Sequence, residues 1–191
     1  MKITPISNSK TLTKDCVRVG WHEGEDTKYI EQKNGTTVLS IGAGKYKDVN
    51  VRVFRTLCRS IVRTARSHKI DRLVVEIKHP FPQMQKKDTA WIVETMAENF
   101  LLANYEYTAY KKEKHTIREL LISGVQSAEE KEALDRAMLV ASEINKCRDL
   151  ANTPGGEMTP SLLAEHAKQI MKSPGVRVTV NHFAHVTIPL A

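Results

Sequence analysis

The chain has 191 residues, 41% of them apolar, which suits one domain, or one domain plus a connecting piece, with a real core. No apolar run approaches the ~20 residues that cross a bilayer, and Met1-Lys2-Ile3-Thr4-Pro5 lacks the apolar centre of a signal peptide, so a cytoplasmic location is expected. A net charge of +7, from 29 basic and 22 acidic side chains, permits a polyanionic partner but bears on solubility and association rather than on fold.

Ile3 to Ile6 reads as a short first strand, Asn8 to Lys14 as polar loop, and Val17 to Trp21 as a second strand. His22-Glu23-Gly24-Glu25-Asp26 is an acidic turn whose spacing matches no strong metal template, so a solvated loop is the better reading. Thr36 to Ile41 is β-branched and apolar and predicts an inner strand. Gly42-Ala43-Gly44-Lys45 follows. A glycine turn between strand and helix can aim backbone N–H groups at a phosphate. This one lacks the P-loop spacing and the third glycine of the dinucleotide motif, so a structural turn is expected, with a small-nucleotide site as the lesser alternative.

Val51 to His68 predicts a helix, capped by Asp48 or Asn50, with Val51, Phe54, Cys58, Ile61 and Ala65 on one face, broadened by Leu57 and Val62. Arg52, Arg55, Arg59, Arg63 and Arg66 recur at steps of 3, 4, 4 and 3. At about 100° per residue they share one narrow stripe. The stripe is a candidate anion-binding ladder for phosphates or for a neighbouring subunit's carboxylates. The plainer alternative is a solvated basic face, because like charges in a row repel.

Arg72 to Ile77 predicts another inner strand, completing a βαβ unit in which it runs parallel to Thr36–Ile41. His79-Pro80-Phe81-Pro82 then breaks regular structure. His79 falls at a strand's carboxyl end, where open α/β sheets place ligands, but no partner for it is visible. Thr89 to Leu102 predicts a helix buried through Trp91, Ile92, Thr95, Met96, Asn99 and Leu102. Tyr105, Tyr107 and Tyr110 beside Lys111 and Lys112 could form a nucleic-acid stacking platform; packing of the rings over the sheet edge is favoured. Ile117 to Val125 predicts a further strand.

A long helix is expected from about Ala128 to Asn152, with Leu134, Ala137, Met138, Ala141, Ile144 and Ala151 on its buried side. Thr153 precedes Pro154 and is pushed out of the α region, Gly155-Gly156 turns the chain, and Thr159 with Pro160 starts the next helix, to about Lys172. Ser173-Pro174-Gly175 stops it, and Val176 to Val180 alternates like a strand. In the tail, His182 and His185 do not complete a zinc site.

Arg148-Asp149-Leu150-Ala151-Asn152-Thr153-Pro154, then Met158-Thr159-Pro160 and a helix with Leu162, Leu163 and Ala164, resembles the segment leading into the catalytic domain of leucyl (cytosol) aminopeptidases. Gly156 stands where that family usually has Asn, and the similarity runs from about residue 36 to about residue 180. The resemblance implies a three-layer α/β/α fold with a mixed sheet, macro-domain-like, over residues 1–127. It implies a connecting helix over 128–152 and the beginning of a catalytic domain over 153–191, with the rest of that domain outside these residues. The family releases N-terminal amino acids with two divalent metals, zinc or manganese, and forms hexamers; some bacterial members also bind DNA.

The family's metal-binding and catalytic segments, including one reading Asn-Thr-Asp-Ala-Glu-Gly-Arg, do not occur in this sequence. No Gly-x-Ser-x-Gly elbow is present. Cys16, Cys58 and Cys147 are too few for a disulfide framework and read as plain buried or half-buried thiols. No catalytic or metal-binding residue is therefore assigned. The expected function is the non-catalytic N-terminal part of a leucyl-aminopeptidase-like metalloexopeptidase, inactive alone, that supports assembly and active-site access. Its partners would be its catalytic domain and other subunits, with no membrane. The alternative is a DNA- or polyanion-binding module using the Arg52–Arg66 stripe.

Overall fold

The computed structural model describes residues 1–7, 16–26, 29–33, 36–110, 116–170, 175 and 177–181. The expected loop at Asn8–Lys14, the helix stop at Ser173–Pro174 and the histidines at 182 and 185 lie outside them. The chain divides into two units, Met1–Lys146 and Cys147–Ala191.

The first unit contains β1 (Lys2–Ile6), β2 (Val17–His22), β3 (Tyr29–Lys33), β4 (Thr36–Gly42), α1 (Val51–Ser67), β5 (Arg72–Glu76), α2 (Thr89–Ala103), β6 (Glu119–Ser123) and most of α3 (Ala128–Asn152). The strands form one sheet in the order β1-β6-β5-β2-β4-β3. Pairings from β1 through to β4 are parallel, and only β3 runs antiparallel, at the edge. The mixed α/β sheet agrees with expectation. β4 and β5 run the same way as predicted, but β2 lies between them, so the α1 crossover spans a strand.

Period-two alternation builds the core. Leu39, Ile41, Leu73, Val75, Leu120 and Ile122 join one large cluster with Phe54, Ile61, Met96, Phe100 and Leu134 of the helices. Val74 and Leu121, one residue out of phase, form a second cluster with Cys16. Arg72 and Glu119 face each other across the β5–β6 register and pair at 2.8 Å.

α1 starts where Asn50 Oδ1 accepts from the Val53 amide at 3.0 Å, which selects Asn50 over Asp48 as its cap. It ends in a Schellman turn: the Ile70 amide donates to Ala65 O at 2.9 Å and the Lys69 amide to Arg66 O at 3.1 Å. Lys69 takes the left-handed position, φ 54°. The predicted apolar face is buried, apart from Val51, which is half-buried.

α2 buries more than its predicted stripe. Ala90, Val93 and Ala97 are inside, while Trp91 and Leu102 are only half-buried. Small side chains there let the helix pack on α1 as well as join the sheet cluster. β6 is shorter than predicted, because the Ile117 backbone pairs elsewhere: its N–H donates to Asn104 Oδ1 at 3.0 Å and its C=O accepts from Asn104 Nδ2 at 3.1 Å. α3 opens with a capping box, in which the Glu130 amide donates to Ser127 Oγ and the Ser127 amide to Glu130 Oε2. Ala133, Leu134, Ala137 and Ala141 are buried, whereas Ile144 is 38% exposed, so the buried side ends earlier than predicted.

The second unit contains the end of α3 and α4 (Pro160–Ile170). Thr159 caps α4, its Oγ1 accepting from the Leu162 amide at 3.2 Å. Residues 177–180 form no strand. A lone extended segment needs a ladder partner, and none is present among the described residues.

Candidate functional site

A cleft of 710 Å³ opens beyond the carboxyl ends of β1, β5 and β6. These strands are parallel neighbours, so their following loops converge there. Ser7 follows β1, Lys78 and His79 follow β5, and Gly124 and Gln126 follow β6. Thr89 and Ile92 reach it from the start of α2, and Glu130 from the first turn of α3. Gly124 is needed in this turn. Its φ is +100°, and an added Cβ would come within 2.8 Å of Ile77 Cγ1. The turn is tied on both sides, by the Gly124 amide to Ile6 O at 2.8 Å and the Ile77 amide to Ser123 O at 3.0 Å.

His79 is the sequence candidate that the fold brings to this cleft. Its ring stacks on Phe81 at 5.3 Å and tilts against Phe54 at 5.5 Å. Nδ1 is buried and has no hydrogen-bond partner among the described residues. Burial lowers the imidazole pKa, an effect its own backbone only partly offsets, so the fold favours the neutral ring. Lys87 places Nζ 5.6 Å from the Trp91 ring centre. Lys78, Gln85, Lys87 and Gln126 were not singled out from the sequence. The available signal was position: Lys78 and Gln126 fall just past a strand end and Lys87 just before a helix.

The arginine stripe forms on α1 as predicted, but its members differ. Arg59 Nε donates to Asn99 Oδ1 at 2.8 Å, and Arg66 pairs with Glu106 at 2.6 Å. Arg52, Arg55 and Arg63 remain exposed. Two of the five arginines are thus tied to α2 and the segment that follows it.

The glycine turn is structural. The Ala43 amide donates to His22 O at 3.0 Å, the Gly44 amide to Gly24 O at 2.8 Å, and the Tyr46 amide to Glu23 Oε1 at 3.0 Å. A phosphate would find these donors taken, one of them by a carboxylate, which removes the nucleotide alternative at residues 42–45. An added Cβ on Gly42 would meet Asp26 O at 2.7 Å, so close backbone approach explains the glycine. His22 Nδ1 lies 2.7 Å from Ser40 Oγ rather than against a carboxylate.

Tyr110 is 59% exposed and meets Tyr107 at 6.1 Å, so the expected packing over the sheet edge does not extend to its ring. Lys111 and Lys112 lie outside the described residues. Cys16 and Cys58 are buried and Cys147 is exposed, contrary to the expectation for that thiol. Among the described residues, no group of three or more His, Cys, Asp or Glu could hold a metal ion. A pair of divalent metals does not fit these donors. No helix of the described residues is long and apolar enough to cross a membrane.

Residues 25–114 match the model of the cytosol aminopeptidase family, N-terminal domain. A probable cytosol aminopeptidase of Persephonella marina is 28% identical over 147 residues, covering 75% of this chain and 29% of that protein. One of Treponema denticola is 27% identical over 164 residues, covering 83% and 33%. The chain thus spans about a third or less of the length of these curated relatives. A solved tomato leucine aminopeptidase mutant has a TM-score of 0.69 at 17% identity, over 90% of this chain and 42% of that one. The bottromycin maturation enzyme BotP in complex with Mn has a TM-score of 0.64 at 20% identity, over 84% and 36%. At these identities the two solved structures show the fold alone.

Proposed function

We propose, for a chain whose residues 25–114 are an N-terminal domain of the cytosol aminopeptidase family, that these 191 residues are the non-catalytic N-terminal portion of a leucyl-aminopeptidase-like metalloexopeptidase. The observation that carries this is the combination of a family match confined to the N-terminal domain with coverage of only 29% of a full-length relative.

In this account residues 1–127 are the α/β domain, 128–152 the connecting helix and 153–191 the start of a catalytic domain. The parent enzyme would be cytoplasmic and hexameric, and would release N-terminal amino acids from peptides using two zinc or manganese ions held by segments outside these residues. The present chain would support subunit assembly and access to that active site. Incubating the purified 191-residue protein with a leucyl peptide and Zn²⁺ or Mn²⁺ tests this. No amino acid should be released above the metal-only blank; chelator-sensitive release that co-elutes with the protein would overturn it.

A further inference from the structure

We propose that the exposed face of α1 is a docking surface for an acidic protein segment, whose carboxylates it takes with Arg52, Arg55 and Arg63. This goes beyond the role assigned above, and either can fail without the other. Charge is spread very unevenly along the chain. Residues 45–69 hold eight Lys and Arg against one Asp, a net +7, which is the net charge of the whole chain. The other 166 residues carry 21 charges of each sign. α1 itself has no acidic residue.

Arg59 and Arg66 of the same stripe end on Asn99 and Glu106, and Arg72, Arg118 and Arg136 each pair with a carboxylate. Arg52, Arg55 and Arg63 are exposed and have no side-chain partner among the described residues. At helical geometry these three share an arc of roughly 80° and span about 16 Å of the axis. Like charges so arranged repel, and an anion that spans them removes the repulsion. The partner's carboxylates would cover the same length, about five residues if extended. No apolar side chain of α1 is exposed, so ion pairs rather than apolar burial must hold the partner. No aromatic ring of α1 is exposed either, which leaves bases nothing to stack on and favours carboxylates over single-stranded nucleic acid. The stripe already shows the chemistry once, where Arg66 Nη2 meets Glu106 Oε2 at 2.6 Å. A guanidinium fork can take both oxygens of a carboxylate.

The test titrates the 191-residue protein into a fluorescein-labelled oligoglutamate and follows its anisotropy at low and at physiological salt. A labelled single-stranded oligonucleotide of equal charge is run beside it. Saturable binding of the oligoglutamate that weakens as salt rises is expected. Arg55→Glu with Arg63→Glu should weaken it at least about tenfold, because two attractions become repulsions, while melting as the parent does. Lys86→Glu with Lys87→Glu removes the same charge from exposed positions elsewhere and should leave the affinity nearly unchanged. Arg55→Lys with Arg63→Lys keeps the charge but loses the forks, and should give a smaller loss than the glutamates. No saturable binding at low salt, or equal weakening by the Lys86 and Lys87 changes, would overturn the docking surface. An oligonucleotide bound more tightly than the oligoglutamate would overturn the choice of partner.

Discussion

Arg59 on α1 donates from Nε to Oδ1 of Asn99 on α2 across 2.8 Å, and Asn99 in turn donates from Nδ2 to Thr95 O at 2.8 Å. An arginine from the basic stripe therefore ends on a polar group that is only 2% exposed. The link fastens two of the helices that pack in the main core cluster.

Asn99→Ala should cost about 2 kcal/mol, since it removes a buried acceptor and donor together. Arg59→Ala should cost less, under about 1 kcal/mol, because water can reach Asn99 from the exposed arginine side. Urea unfolding followed by circular dichroism gives both numbers. Equal costs would mean that the arginine's own packing, not the asparagine's burial, dominates.

Lys69 occupies the left-handed position of the α1 Schellman turn, φ 54°, where glycine carries no Cβ penalty. Lys69→Gly should raise stability by roughly 0.5–1 kcal/mol, despite the greater chain entropy of glycine when unfolded. Thermal melts of the two proteins compare them directly. A lower melting temperature in the variant would show that the turn is not held as described.

Much of the fold was legible in the sequence. The apolar runs Leu73-Val74-Val75 and Leu120-Leu121-Ile122 placed the inner strands, and the apolar face of α1 was right nearly residue by residue. What was not legible depends on neighbours far along the chain. Nothing local says that β2 inserts between β4 and β5, or that Asn104 takes both backbone groups of Ile117 and so shortens β6. The wide burial of α2 likewise reflects packing against α1 as well as the sheet. At the candidate site, His79 was visible as a strand-end residue. Gln126, after β6, became its neighbour only through the pairing of β5 with β6.

Cys58 is fully buried in α1, and burial drives its thiol pKa far above the ordinary 9.0, with its backbone and Arg59 offsetting only part of this. The folded state therefore keeps the proton while the unfolded chain loses it as the pH passes about 9. The raised folded pKa gives a contribution fully present below that pH and lost as the pH climbs toward the folded value, at up to about 1.4 kcal/mol per pH unit. The stability difference between the parent and Cys58→Ala should shrink by that slope above pH 9 and stay flat between pH 6 and 8. A constant difference across the whole range would mean that the thiol titrates normally when folded. In the native protein at pH 8, a thiol reagent should label exposed Cys147 well before Cys16 or Cys58.

The assignment of this chain as a non-catalytic N-terminal portion is tested most directly by following leucine release from a leucyl peptide by the purified 191-residue protein, with Zn²⁺ or Mn²⁺ supplied. Release indistinguishable from the metal blank is predicted. Turnover that tracks the protein peak through chromatography and stops on chelation would contradict it.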